Sequence, residues 1–281
     1  MIARPDDDLD AALGVLRAGA EVAVARTETP SELDAALDGA PGTVVVAGGD
    51  GTMHTVVSAL HGRGELGRTT LGLLPLGTGN DFARGAGIPL DACDAARVVL
   101  AGRTHAMDVL VDDAGGVVVN SVHAGAGSVA ARRGGWWKER LGKVGYPIGA
   151  LLTAVNPPAL RLRVEVDGEA LCGPERPVLQ VAVGNAPHVG GGTALVPVAD
   201  PGDGQLDVVL STPRSPLALV GYARDLLRGR HHHRADVTCT RGRTVTVTGS
   251  EFWCTADGEI DGPVRRRTWR IEPAAYRMLV P

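Results

Sequence analysis

Two short segments hold the residues best suited to chemistry. Gly48-Gly49-Asp50-Gly51-Thr52 follows the apolar run Val44-Val45-Val46-Ala47, and Gly77-Thr78-Gly79-Asn80-Asp81 follows Leu73-Leu74-Pro75-Leu76. Each reads as a buried strand that ends in a glycine-rich turn. Glycine lets the backbone approach a ligand, and the free N–H groups then face anionic oxygens. The aspartates suit a ribose hydroxyl or a water on magnesium. One such turn is a weak signal, whereas two at the carboxyl ends of neighbouring strands point to one shared phosphate site.

The elements that must carry these turns are readable upstream and downstream. Helices are expected over Leu9–Ala18, Pro30–Leu37, Met53–Leu60 and Ala92–Ala101, and strands over Glu21–Ala25, Thr43–Ala47 and Thr70–Leu74. Strands alternating with helices predict a parallel sheet with helices on both faces. After about Asp108 the texture changes to short β-branched segments: Gly116–Asn120, Leu160–Val166, Val178–Val183, Leu206–Leu210, Val237–Thr240 and Thr244–Val247. These predict an antiparallel β domain, interrupted by helices over Tyr146–Val155 and Pro216–Leu227.

Bulk properties narrow the class. The 281 residues allow one large domain or two ordinary ones, and 44% hydrophobic content suffices for a core. A net charge of −4 gives nucleic-acid binding no electrostatic support. Cys93, Cys172, Cys239 and Cys254 are scattered, which indicates neither a zinc site nor a disulfide framework and fits a reducing cytosol. No apolar run approaches the roughly 18 residues of a transmembrane helix. Asp6-Asp7-Asp8 stands where a signal peptide would need its apolar run.

Gly-Gly-Asp-Gly-Thr at 48–52 and Gly-Thr-Gly-Asn-Asp-Phe-Ala-Arg at 77–84 resemble the diacylglycerol kinase catalytic domain. Gly184-Asn185, Gly190-Gly191-Gly192, Pro197, Ala199 and Asp203-Gly204-Gln205-Leu206-Asp207 look like that family's second-domain signature. Asp257-Gly258-Glu259 looks like its late catalytic motif, and Met278-Leu279-Val280-Pro281 like its closing strand. The resemblance spans nearly the whole chain and is nearest to the soluble bacterial lipid kinases. Sphingosine kinases and NAD kinases share the first motif. Three departures stand out: no Asn-Pro-x-x-Gly strand precedes residue 43, Thr55 replaces a glutamate, and Val119 replaces a phenylalanine.

The resemblance implies an α/β fold. A Rossmann-like ATP-binding domain over 1–107, completed by 269–281, is followed by a β-rich, sandwich-like domain over 108–268. The active site would lie in the cleft between them. ATP and Mg2+ are the implied cofactors, and the hydroxyl of diacylglycerol or a related lipid at a membrane surface is the implied acceptor. An NAD or sphingoid-base kinase, or a silent relative that binds without turnover, is the alternative. Asp50 would help hold magnesium and Glu259 would serve as general base. Gly48, Gly49, Asp50, Gly51, Thr52, Thr78, Asn80 and Asp81 would line the nucleotide site. Asn80 and Asp81 also fit an ordinary helix cap, and Thr27 is either near the adenine or in a plain loop. Asp200, Asp203 and Gln205 match a magnesium loop in which Asp203 gives its carboxylate and the other two their carbonyls; a type I turn is the plainer reading. Asp108 would join the metal network or bond a hinge.

Three further features carry two readings each. Asp-Gly-Glu occurs at 167–169 and at 257–259; the first reads as a β-hairpin turn, and the local pattern around the second is alike. His231-His232-His233 reads as a solvated loop rather than a metal tract. Trp136-Trp137 among Arg132, Arg133, Lys138, Arg140 and Lys143 suits either a membrane interface at the cytoplasmic face or a half-buried pair under charges. Assembly stays open between monomer and homodimer.

Overall fold

The computed structural model describes residues 5–39, 42–125 and 160–281. The helix expected over 146–155 and the Trp136-Trp137 segment lie outside the described residues. In chain order the elements are α1 (Pro5–Arg17), α2 (Pro30–Leu37), β1 (Thr43–Gly48), α3 (Asp50–Gly62), β2 (Thr70–Pro75), α4 (Asp81–Gly85), α5 (Ala92–Ala101) and β3 (Thr104–Asp112). There follow β4 (Val117–Val118), β5 (Ser121–Gly125), β6 (Leu162–Val166), β7 (Glu169–Cys172), β8 (Gln180–Gly184), β9 (His188–Val189), β10 (Thr193–Ala194) and β11 (Leu206–Ser211). The last elements are α6 (Pro216–Leu227), β12 (Val237–Gly242), β13 (Thr244–Ala256) and β14 (Glu259–Leu279).

The first part is α/β. β1 and β2 pair in parallel from Thr43↔Thr70 to Gly48↔Pro75, so both strands end at the same level. That register sets the two glycine turns side by side. The end of β14 adds to β2 in parallel at Arg277 and Met278. The second part is antiparallel: β13 pairs with β14, β5 and β6, and the ladder continues through β8 and β11 to β12.

β3 and β14 link the two parts as an antiparallel ribbon. On β3, Met107, Val109 and Val111 belong to a core with the helices of the first part, whereas Leu110 belongs to the core of the β-rich part. The period of two in a strand places these sets on opposite faces. A third core, with Val209, Tyr222 and Val237, lies beneath α6.

Two expectations need correction. Glu21–Ala25 forms no strand. It pairs with no strand among the described residues; Val22 packs on the first core and Val24 is 49% exposed. A lone extended segment has no partner for its backbone groups. His231 is also not solvated: it is fully buried, its Nε2 is 2.9 Å from the Leu195 carbonyl, and its ring meets Tyr222 edge-on. Only His233 of the three histidines is exposed.

Candidate active site

The two glycine turns touch. A side chain on Gly77 would bring Cβ within 2.5 Å of the Gly49 Cα, and one on Gly49 would come within 2.9 Å of the Gly77 Cα. Glycine is therefore required at both places by close backbone approach, not by φ. Thr52 folds back over Gly48, leaving no room for a Cβ there. Gly49 caps α3 without a side chain. The first intrahelical bond runs from Met53 N–H to the Gly49 carbonyl, so the amides just before it lack helical partners. A helix start of this kind suits an anion such as phosphate.

Polar side chains lock the second turn to the first. Asp50 Oδ1 accepts the Phe82 N–H at 2.9 Å, so the first turn caps the helix of the second. Asn80 is left-handed at φ 53° and makes no side-chain cap. Its Nδ2 instead donates to the Gly77 carbonyl at 2.8 Å and the Pro75 carbonyl at 3.3 Å. Thr78 stands exposed at the tip of the turn.

A third loop closes on this pair. Asp81, 6% exposed, accepts the Gly191 N–H at 2.9 Å and the Gly192 N–H at 2.6 Å. Burial pushes its carboxyl up, against the pull of the Gly191 N–H and with the Asp50 charge adding to the rise. A Cβ on Gly79 would lie 2.9 Å from Asp50 Oδ2 and 3.7 Å from the Gly191 Cα. Three glycine-bearing loops and two carboxylates thus converge within a few ångströms.

The two Asp-Gly-Glu copies are both two-residue hairpins with left-handed central residues: φ is 51° and 85° at Asp167 and Gly168, and 46° and 95° at Asp257 and Gly258. Their surroundings differ. Asp167 accepts N–H groups from Arg243 and Thr244 at an exposed edge. The Asp257 carboxylate is fully buried and accepts from Val119 N at 2.6 Å, Asn120 N at 2.9 Å and Ser121 N at 3.2 Å. It also faces His54 Nδ1 at 2.9 Å. Because a carboxylate only accepts, His54 donates from Nδ1. That bond raises the His54 pKa, and the nearby Glu259 charge adds to the rise. The second hairpin is thereby pinned to α3, one helical turn beyond Asp50, with Glu259 exposed beside it.

The remaining predicted residues sit elsewhere. Asp108, 2% exposed, spends Oδ1 on the Ala274 N–H and Oδ2 on the Gly204 N–H, each at 2.7 Å. It clamps the bulge of β14, where Ala274 is left-handed at φ 49°, to the 200–205 loop. Asp200 Oδ1 accepts the Gly202 N–H and Asp203 Oδ1 accepts the Gln205 N–H, both at 3.0 Å. Arg241 bonds Asp203 and reaches Asp207, which gives this acidic loop a cationic partner from β12. Among the described residues no cluster of three or more His, Cys, Asp or Glu side chains could hold a metal ion. Asp50 Oδ2, with Oδ1 committed to Phe82, is the donor that fits magnesium carried in by phosphates, since that ion keeps waters and needs one or two carboxylates. Thr27 lies in the exposed coil before α2.

Sequence reasoning missed His54, His188 and Arg84 as site neighbours. The spacing of four from Asp50 places His54 on the same helix face, a signal that was available. His188, lowered by burial, faces Asp81 across the sequence from β9. Arg84 reaches the Gly79 carbonyl at 3.4 Å.

Comparison with known proteins agrees with this architecture. The diacylglycerol kinase catalytic domain profile matches residues 5–111, and that of the YegS C-terminal NAD kinase beta sandwich-like domain matches residues 120–280. A Pseudomonas aeruginosa protein named "Probable lipid kinase YegS-like" is 33% identical over 98% of this chain and 90% of its own length. A protein of Mycobacterium tuberculosis named diacylglycerol kinase is 30% identical over 89% of this chain and 80% of its own. The crystal structure of a diacylglycerol kinase from Bacillus anthracis shares the fold with a TM-score of 0.77 at 20% identity, covering 98% of this chain and 91% of that one. By sequence, the chain belongs to the YegS-like lipid kinase family.

Proposed function

We propose that this protein transfers the γ-phosphate of ATP to a lipid hydroxyl, with diacylglycerol or a related lipid as the acceptor. The observation that carries the reading is the direct contact of the two glycine turns beneath the start of α3, with Asp50 and Asp81 beside them. Family membership supports phosphate transfer to a lipid in general terms. Gly48, Gly49, Gly51 and Thr52 line the phosphates through the open amides of α3. Thr78 and the Asn80-braced turn hold the opposite side, and Asp81 fastens the Gly190–Gly192 loop over it. Magnesium, where bound, would offset phosphate charge. Asp50 Oδ2 is free to meet that cation.

Glu259 takes the acceptor proton. A hydroxyl attacks poorly until a positioned carboxylate removes that proton. The Asp257–His54 bond holds the hairpin that carries Glu259 against α3, and so sets the distance between base and phosphate. Positioning and electrostatics then supply most of the rate. Among the described residues no helix is long and apolar enough to cross a membrane. The test is transfer of radiolabelled phosphate from MgATP across a panel of diacylglycerol, sphingosine and NAD. Labelling of diacylglycerol in detergent micelles is expected. Labelling of NAD or sphingosine alone would replace the acceptor, and labelling of none would refute the reading.

A further inference from the structure

α6 is an amphipathic helix with a second apolar face. Its inner face, with Tyr222 and Ala223 buried and Leu219 and Leu226 half-buried, packs on the third core. Its outer face carries Leu217 at 83% exposure, Val220 at 65% and Leu227 at 56%. Arg224 and Arg228 are exposed on the same side. At about 100° per residue these five positions fall within an arc of roughly 100°. Scattered exposed apolar residues are normal, but three on one helix face are not scattered.

The charge around this face has one sign. Arg214 stands just before the helix and Arg230 just after it, both exposed. With Arg224 and Arg228 they make four arginines. The one acid of the helix, Asp225, is already held by Arg234 at 2.9 Å and Arg224 at 3.2 Å. This lies on a chain whose net charge is −4. Apolar side chains flanked by arginines on a surface helix match the chemistry of an anionic bilayer: the leucines enter the acyl boundary and the guanidinium groups meet the lipid phosphates. A second copy of the chain fits less well, because a two-fold contact would set the arginines of one face against those of the other.

The helix is also coupled to the site. α6 packs against β10, and the hairpin of β9 and β10 carries Gly191 and Gly192, which bond Asp81. Beyond α6, Gly229 lies against Ala194, and His231 bonds the Leu195 carbonyl.

We propose that the outer face of α6 seats the protein on anionic lipid bilayers, with Leu217, Val220 and Leu227 inserted and Arg214, Arg224, Arg228 and Arg230 on the headgroups. The proposal rests on the lipid-kinase reading for its purpose, but its test does not need turnover. The full-length protein is spun with vesicles of phosphatidylcholine alone and with vesicles containing phosphatidylglycerol, without ATP. Anionic vesicles should bind more protein, and the excess should fade as salt rises. The pair Arg224→Gln with Arg228→Gln should lose about 25-fold in partitioning, or about fivefold per arginine. Leu217→Gln with Leu227→Gln should lose binding to anionic vesicles as well. Arg176→Gln with Arg243→Gln, which removes equal charge from exposed positions elsewhere, should change little. Each variant keeps residues 126–159, so a loss belongs to α6.

Unchanged partitioning of both α6 variants would overturn the proposal, as would sedimentation showing that the face closes a dimer which the leucine pair dissociates. Phosphate transfer to diacylglycerol in micelles separates this from the functional reading. Parent activity there with unaltered vesicle binding of the variants sinks the surface alone, while α6-dependent binding without any transfer sinks the kinase reading alone.

Discussion

The two Asp-Gly-Glu hairpins permit a comparison inside one molecule. Asp257→Asn and Asp167→Asn make the same chemical change in the same left-handed turn position, where asparagine is tolerated. At Asp257 the carboxylate is fully buried and meets four donors: Val119 N, Asn120 N, Ser121 N and His54 Nδ1. An amide presents one oxygen and one NH2, so its nitrogen would face donors and leave one or two of them unsatisfied. Each buried unsatisfied donor costs about 1–3 kcal/mol, and the remaining bonds lose their charge assistance. The sum is about 3–5 kcal/mol. At roughly 2–4 °C per kcal/mol for a chain of this size class, melting should fall by about 6–20 °C. At Asp167 the donors are the exposed amides of Arg243 and Thr244, which water can satisfy. The cost there should stay near or below about 1 kcal/mol. Thermal and urea unfolding followed by circular dichroism read both values. Equal losses, or a loss below about 1 kcal/mol at Asp257, would refute the claim that burial and partner number distinguish these two turns.

Three further outcomes are expected. Glu259→Gln should lower turnover by about 10²–10⁴ with ATP binding unchanged, whereas Glu169→Gln should leave turnover intact; phosphate-transfer kinetics on both variants decide it. Gly77→Ala should abolish nucleotide-induced thermal stabilisation, because its Cβ would meet the Gly49 Cα at 2.5 Å and push the turns apart; a normal nucleotide shift in this variant would contradict the shared site. The His54–Asp257 bond raises the folded pKa of His54 above its unfolded value of about 6.5, so its stabilisation is complete below that pH and fades as pH rises through the raised value. The stability gap between the parent and His54→Asn, read by urea midpoints, should therefore be wider at pH 6 than at pH 9, with Asp257 and Glu259 as the charges facing the ring.

What the sequence made legible is what local physics decides. The runs Val44–Ala47 and Leu71–Leu74 had to be strands, and the glycines behind them had to be turns, whichever fold surrounded them. Pro30 and Pro216 mark the starts of α2 and α6, and in the structure Thr29 and Ser215 cap them through short-range bonds. Glu21–Ala25 failed for the opposite reason: a strand is a relation between two segments, and its residues do not say whether a partner lies beside them. β14 runs unbroken through both cores, and its bulge at Ala274 is held by Asp108, which lies 166 residues earlier. No window of sequence contains that bond, so Asp108 offered a hinge and a metal ligand on equal terms. The acidic loop at 200–205 was legible as acidic, but its partner Arg241 comes from β12, far along the chain, and no local pattern announces it. The two Asp-Gly-Glu turns show the limit most sharply. Their backbone angles agree, their flanking strands alternate alike, and each aspartate caps consecutive amides. Burial, a third backbone amide and the donor that arrives from α3 separate them: His54 meets the buried Asp257, and no residue of the first part is bonded to Asp167 among the described contacts. A site assembled from three loops and one hairpin is a property of which surfaces meet, and a motif acquires its role from the element that folds against it.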